Sequence, residues 1–419
     1  MEGKIPMAAR RHVTNKLRNA YAKASKEDKG RILDEVIATT GMGRSTARRM
    51  LTGPALPDPA VQIDKRKLRP KSYSDDTRLL LEQVWALMGC PCGKYLRVML
   101  PDWLPLLQTA GDLNRPFATP SAVAELQAMS AATIDRYLAP ARRRMQLRGI
   151  STTKPSPLLR NSISLSKAGD ALPTIPGVIE ADTVAHCGPT LQGEFARTLT
   201  MTDLVTGWTE NQSIRNNASK WILEAIEELQ GRFPFPMTVF DSDNGSEFIN
   251  YDVAGWLQER DIAQTRSRPY QKNDQATVES KNNHVVRKHA FYWRYDTADE
   301  LALLNELWRL VSLRLNFFTP TKKPTGYTQT ADGRRKRLYD EPKTPWRRVQ
   351  AAGLLTEEQA ATIRARIDGV NPADLTRRIN ELQLRLIDLA QGKTQALADA
   401  RGLDMTSLEP SIHRLQTTK

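Results

Sequence analysis

Hydrophobic and polar positions change period twice along the chain, and each change predicts a different kind of structure. In residues 25–51 the apolar positions Ile32, Leu33, Val36 and Ile37 keep a helical period. Ser25, with Asp28 three residues on, gives a capping signal, and Gly41-Met42-Gly43 gives a turn. Ser45-Thr46-Ala47-Arg48-Arg49-Met50-Leu51 then reads as a short basic helix, so the segment predicts a helix-turn-helix. Residues 75–145 predict a second helical unit. Leu79, Leu80, Val84, Leu87 and Met88 mark one helix, Trp103 through Leu107 another apolar stretch, and Ser130 through Leu138 a second helix of recognition type. Between the units lie Pro54, Pro57 and Pro59 and the basic run Lys65-Arg66-Lys67-Leu68-Arg69-Pro70-Lys71, which resists packing and suits phosphate contact. Residues 151–172, rich in Ser, Thr, Pro and Lys, predict a linker without regular structure.

From Pro173 the period shortens to that of strands. Residues 178–184, 195–205 and 207–214 predict three consecutive antiparallel strands separated by turn residues. A helix follows over 218–229, then a short buried strand at 237–241, a helix at 247–259 and a strand at 262–266. A loop from Arg268 to Gln275 leads into a helix from about Ala276 to Trp293, and Leu301–Phe318 also reads as helical. Residues 319–350 are basic and punctuated by Pro and Gly, with Arg334-Arg335-Lys336-Arg337 among them. The tail regains helical period at Leu375, Ile379, Leu382, Leu384 and Leu386, a stripe that suits either the body of the protein or a second copy.

Charge sharpens this division. The chain of 419 residues carries a formal +14, which points to a polyanionic partner. Residues 1–170 hold 29 Lys and Arg against 15 Asp and Glu, residues 171–300 hold 12 against 19, and residues 301–419 hold 20 against 13. An acidic centre between basic flanks fits a cation-binding domain clamped onto nucleic acid by its neighbours. Three cysteines, Cys90, Cys92 and Cys187, exclude a disulfide framework and suit a reducing cytoplasm. Cys90-Pro91-Cys92 is too tightly spaced for a usual zinc knuckle, and His284 and His289 have no cysteine pair nearby. With no run of eighteen apolar residues and no signal-peptide core, a soluble, cytoplasmic protein with no membrane partner is expected.

The acidic centre holds the candidate chemistry. Asp182 lies in the strand pattern Gly177-Val178-Ile179-Glu180-Ala181-Asp182-Thr183-Val184, and Asp243 opens the turn Asp243-Asn244-Gly245 after an apolar strand. Glu279, in Val278-Glu279-Ser280, follows 36 positions after Asp243 near a helix start. Three acids on two strands and a helix can converge and hold two hard divalent cations, with Mg²⁺ or Mn²⁺ favoured over zinc. Glu180, on the same strand face as Asp182, Asp203 on the adjacent strand and Asp241, two before Asp243, compete for these places.

These segments resemble the DDE catalytic core of retroviral integrases and bacterial insertion-sequence transposases, over roughly residues 173–320. The order of flanking parts resembles Mu-type transposases, whereas the His-Cys zinc domain of retroviral integrases has no counterpart pattern. The resemblance implies an α/β, RNase H-like core of mixed sheet and flanking helices, preceded by all-α helix-turn-helix modules and followed by a basic segment and a helical tail. It places the catalytic and metal-binding roles on Asp182, Asp243 and Glu279, with two Mg²⁺ or Mn²⁺ ions per site. It sets Asn282, Asn283 and Arg287, which share the face of Glu279, toward the scissile DNA end, and Arg268–Asp274 resembles the family's mobile active-site loop. The other residues expected on DNA are Arg44, Ser45, Thr46, Arg48 and Arg49 in the first unit and Lys65, Arg66 and Lys67 in the linker. Thr133, Arg136, Arg142, Arg143 and Arg144 are the ones expected in the second. The domains so implied are 1–60, 61–150, 151–172 (linker), 173–320 (core), 321–351 and 352–419. The expected function is transposition: binding of terminal inverted repeats, cleavage to free 3′-hydroxyls, and joining to target DNA by a homo-oligomer assembled on double-stranded DNA. An integrase, a plain RNase H-like nuclease and a domesticated DNA-binding regulator are the rival readings.

Overall fold

The computed structural model describes residues 6–55, 72–143, 164–166, 173–243, 245–267, 276–329 and 335–402. Contacts divide the chain into two compact units, Met1–Ser72 and Tyr73–Lys419. The first holds α1 (Met7–Lys23), α2 (Lys26–Thr40) and α3 (Arg44–Thr52). Ser25 Oγ accepts from the Asp28 N–H at 3.2 Å, the cap its sequence predicts. Gly41 ends α2 at φ 63°, a left-handed conformation that glycine adopts without strain. Tyr21, Leu33, Val36, Met42, Ala47 and Leu51 form the small core of this unit. Helix α1 gave little sequence signal because its buried residues are only Thr14 and Tyr21.

The second unit opens with α4 (Asp75–Leu87), α5 (Gly93–Thr109), α6 (Pro120–Ala128) and α7 (Ala131–Arg143). There follow β1 (Ser164–Ser166), β2 (Val178–Ala185), β3 (Arg197–Asp203), β4 (Thr209–Ile214), α8 (Ser219–Gln230), β5 (Val239–Ser242), α9 (Tyr251–Gln258) and β6 (Ala263–Ser267). The sheet order is β1-β6-β5-β2-β3-β4. Strands β2, β3 and β4 pair antiparallel, while β1, β6, β5 and β2 pair parallel, so the sheet is mixed. The short β1 falls where the composition had indicated only a linker, since three residues at a sheet edge leave no readable period.

Helix α10 (Ala276–Lys281) continues through a π-helical turn, Asn282–Arg287, into α11 (Lys288–Ala290). Helix α12 (Ala298–Phe318) lies on β4, where Asn305 and Asn316 donate to the carbonyls of Ser213 and Thr209, each at 3.0 Å. The basic segment beyond forms a hairpin of β7 (Pro324–Gln329) and β8 (Arg335–Tyr339), followed by α13 (Pro345–Ala352) and α14 (Glu357–Arg364). Helix α15 (Pro372–Asp399) packs along α12, burying Leu375, Ile379, Leu382 and Leu386. Its apolar stripe therefore covers the body of the protein, and Leu384 alone of the predicted stripe is exposed.

Helices α4–α7 are built into the same core as the sheet. Trp85, Trp103, Leu107, Ile134 and Leu138 share one buried cluster with Ile179, Phe240, Ile222, Phe317 and Trp346. Trp103 is fully buried, meets Phe318 edge-on at 6.2 Å between ring centroids, and donates its indole N–H to the Phe318 carbonyl at 3.3 Å. Trp103→Ala is expected to destabilise the protein by about 3–5 kcal/mol through lost burial and the cavity left behind. A urea titration followed by circular dichroism checks this, and an unchanged midpoint would show that α5 is not part of the core.

Candidate active site

Parallel pairing brings the two aspartates level. Glu180 lies opposite Asp241 and Ala181 opposite Ser242, so Asp182 and Asp243 occupy the next positions along β2 and beyond the end of β5. Asp182 Oδ1 accepts from the Thr183 N–H at 2.7 Å and its Oδ2 from Asn282 Nδ2 at 2.6 Å. Asp243 Oδ1 accepts from the Gly245 N–H at 2.7 Å, which closes the Asp-Asn-Gly turn. Burial raises the Asp182 carboxyl well above its ordinary range, and the charges of Asp243, Glu247 and Glu279 add to the effect. Burial, with the charge of Glu247, pushes Asp243 up to about 6 against the opposing pull of the Gly245 N–H and Arg197. The aspartates thus sit in a field of unbalanced negative charge.

The competing carboxylates have other work. Asp203 is buried and accepts from the N–H groups of Gly177, Val205 and Thr206 and from the Thr206 hydroxyl, at 2.6–3.1 Å, which ties the β3–β4 turn. Asp241 is buried and accepts from the Thr265 hydroxyl at 2.5 Å, across to β6. Glu180 is buried and takes the Val278 N–H at 2.8 Å. Burial, and then the charge of Asp241, push its carboxyl up to about 8. It stands at the amino end of α10 and so anchors to β2 the helix that carries Glu279. Glu279 itself is exposed, close enough for its charge to act on Asp182. Among the described residues no three of His, Cys, Asp and Glu are gathered tightly enough to clasp an ion as they stand.

Two residues near the aspartates escaped the sequence reading in different ways. Glu247 was assigned to a helix, but the helix begins only at Tyr251, capped by Asn250, and Glu247 lies in the preceding turn. Its Oε1 accepts from the Thr183 hydroxyl at 3.0 Å and pairs with Arg197 at 3.5 Å. Asn282 shares the face of Glu279 by its spacing, and the resemblance sets that face toward DNA. Asn282 is instead only 8% exposed, with its amide turned onto Asp182, and its Oδ1 has no partner among the described residues.

Other candidates on this helix divide. Asn283 and His284 are exposed. Arg287, expected to face DNA, donates to the Ala185 carbonyl at 3.1 Å and the Phe291 carbonyl at 3.4 Å, which fastens the helix to β2. His289 is buried. Its Nδ1–H donates to the Val285 carbonyl at 2.7 Å, leaving Nε2 to accept from Arg314 at 2.7 Å. The loop Arg268–Asp274 lies outside the described residues, as do Asn244, Lys65, Arg66, Lys67 and Arg144.

In the first unit Ser45, Arg48 and Arg49 are exposed, Thr46 is half-buried, and Arg44 pairs with Asp34. In α7 Arg136 is exposed, and Thr133 is half-buried beside Ser130. Arg142 pairs with Asp135 at 2.7 Å, donates to the Pro91 carbonyl at 3.1 Å and lies over Trp85, so its guanidinium is held within the protein. Arg143 ends α7.

Comparison with known proteins bears on this geometry. Residues 175–272, which include both aspartates, match the integrase core domain. Over 327 residues the chain is 35% identical to the uncharacterized protein y4rM of Sinorhizobium fredii (strain NBRC 101917 / NGR234), covering 77% of this chain and 90% of that one. The chain belongs to the DDE transposase and integrase family. The Pro-Pol polyprotein of feline foamy virus is 31% identical over 103 residues, which cover 24% of this chain and 9% of that polyprotein. The catalytic core domain of BIV integrase aligns with 42% of this chain and 96% of its own at 15% identity and a TM-score of 0.29.

Integrase cores belong to the polynucleotidyl transferase superfamily, act on DNA and use divalent metals. The residues present fit such an ion. The donors are all oxygen, as hard cations require. The mutual repulsion of Asp182, Asp243 and Glu247 is of the kind a divalent charge relieves, and the unpartnered Asn282 Oδ1 stands beside Asp182. Among the described residues no helix is long and apolar enough to cross a membrane.

Proposed function

We propose that this protein is a DNA transposase that cleaves the ends of a mobile element to free 3′-hydroxyls and joins them to target DNA. The observation that carries the reading is the pairing of Glu180 with Asp241, which sets Asp182 level with Asp243 beneath the helix of Glu279. Asp182, Asp243 and Glu279 would hold two Mg²⁺ or Mn²⁺ ions. Such ions, when bound, activate an attacking oxygen and stabilise the departing 3′-oxygen. Asn282 orients Asp182, and Glu180 holds the helix of Glu279 in register with β2. Water or a 3′-hydroxyl serves as nucleophile, so no covalent protein–DNA intermediate is required. A strand-transfer assay with labelled ends and Mg²⁺ tests the reading: joined product supports transposition, cleavage without joining favours a nuclease, and binding without either favours a regulator.

The first helical unit supports specific end recognition, because α3 presents Arg48 and Arg49 to solvent after a short glycine turn. Helices α6 and α7 offer Arg136 in a similar arrangement. Arg48→Ala and Arg136→Ala are each expected to weaken specific binding, by roughly 1–3 kcal/mol if the side chain contacts guanine in bidentate fashion. Deleting residues 1–150 would tear α4–α7 from the shared core. Removal of residues 1–72, a separate compact unit, is the appropriate truncation. It is expected to leave a folded protein whose end footprint is lost or shortened, and an unchanged footprint would place specificity elsewhere.

A further inference from the structure

We propose that Glu247 is a fourth carboxylate of the divalent-cation site, resting on Thr183 and Arg197 in the cation-free protein and contributing directly to cation affinity. This deepens the reading above and rests on it. Three observations converge. First, Glu247 and Asp243 crowd the same space. A Cβ on Gly245 would stand 2.6 Å from Glu247 Oε2 and 2.8 Å from Asp243 Oδ1, so only the absence of a side chain at 245 lets the two carboxylates approach. Secondly, Glu247 is weakly engaged. Its Oε1 meets the Thr183 hydroxyl at 3.0 Å and Arg197 at 3.5 Å, a long contact for an ion pair between side chains that are 11% and 16% exposed. Thirdly, Asn282, itself more than nine-tenths buried, turns its amide to Asp182 and keeps an Oδ1 with no partner among the described residues. A buried acceptor left open beside Asp182 asks for a cation or the water that a cation carries.

Glu247 has a simpler possible role as the counter-ion of Arg197, and the two differ in what they predict for metal binding. Neutralising either a counter-ion or a ligand weakens cation binding, but only a ligand at bonding distance is sensitive to the length of its stem. Glu247→Gln keeps an acceptor for Thr183 and Arg197 while removing the charge, and Glu247→Asp keeps the charge on a shorter stem.

The test is Mn²⁺ titration of the full chain, with free Mn²⁺ read by electron paramagnetic resonance and the cation-free melting temperature recorded alongside. Glu247→Gln is expected to weaken Mn²⁺ binding roughly tenfold or more, with its cation-free melting temperature no lower than that of the wild type. Wild-type Mn²⁺ affinity in Glu247→Gln, with affinity lost in Asp182→Asn and Asp243→Asn, would overturn this proposal and leave the active-site reading intact. Wild-type affinity in all three would overturn the active-site reading itself. Glu247→Asp, which keeps the charge, separates a ligand from a counter-ion: a smaller but measurable loss of Mn²⁺ affinity supports the role, and unchanged affinity refutes it.

Discussion

Cleavage and strand transfer are expected to fall by roughly a thousandfold or more in Asp182→Asn, Asp243→Asn and Glu279→Gln, because each removes a charge from groups proposed to provide several kcal/mol of stabilisation through bound cations. Binding to element ends is expected to persist, since these substitutions leave the exposed arginines of α3 and α7 unchanged. Loss of activity by unfolding has the opposite thermal signature. The Asp182 carboxyl is raised in the folded protein, so its ionised form opposes folding at any pH above the ordinary aspartate range. The neutral amide removes that opposition, and its N–H₂ can donate to the open Asn282 Oδ1. In cation-free buffer Asp182→Asn should therefore melt no lower than the wild type, and higher if the repulsion dominates. Gel-resolved strand-transfer products and calorimetric melting measure the two sides. Wild-type joining by any of the three variants would refute the assignment, and if Asp241→Asn were the inactivating change in place of Asp243→Asn, the site would lie one pleat back along β5.

Glu279 is the member that rests least on the static geometry. It is exposed, and its helix enters from 268–275, outside the described residues. What fixes the helix is behind it: Glu180 on Val278, Asn282 on Asp182, and Arg287 on Ala185. These three contacts tie successive turns to β2, so the helix is held along its length. The Glu279 carboxylate lies near enough to Asp182 for its charge to act there.

The sequence made the chemistry more legible than the packing. Spacing and turn type brought out Asp182, Asp243 and Glu279 as candidates, because a strand, an Asp-Asn-Gly turn and a helix start each leave local marks, and the resemblance to the DDE core set them above Glu180, Asp203 and Asp241. Glu247 left none, since a glutamate two residues beyond the turn is indistinguishable from the first turn of an amphipathic helix. Asn282 and Arg287 lie on the helix as expected, but their hydrogen bonds to Asp182 and the Ala185 carbonyl left no mark in the sequence. Helical periodicity gives the face that residues share with Glu279, yet the π-helical turn over 282–287 changes the period where both lie. It does not tell whether that face meets DNA or β2. The competing acids Glu180, Asp203 and Asp241 could not be ranked from sequence, because their partners are backbone groups and hydroxyls far along the chain. The hairpin of β7 and β8 was hidden for another reason: its residues Pro324–Gln329 are partly or wholly exposed, so no buried alternation marks the strand.

Assembly is expected to depend on DNA more than on protein contacts. Transposition joins two ends to one target, so the working species should contain at least two chains. The helix α15, which a sequence reading leaves free to join subunits, buries Leu375, Ile379, Leu382 and Leu386 within its own chain. Charge is then the feature best suited to association: basic segments before and after an acidic centre along the chain, which would attract shared DNA. The free protein should accordingly be monomeric or weakly associated and should multimerise on paired ends. The bridged complex should be strongly salt-sensitive, with affinity falling roughly 10³–10⁵-fold between about 50 and 200 mM salt if six to ten phosphates are neutralised. Light scattering with and without end DNA, repeated over that range, measures both effects. A stable dimer in the absence of DNA whose mass is indifferent to salt would show that a protein surface carries the assembly. A one-chain complex still able to join paired ends would refute the oligomeric mechanism outright.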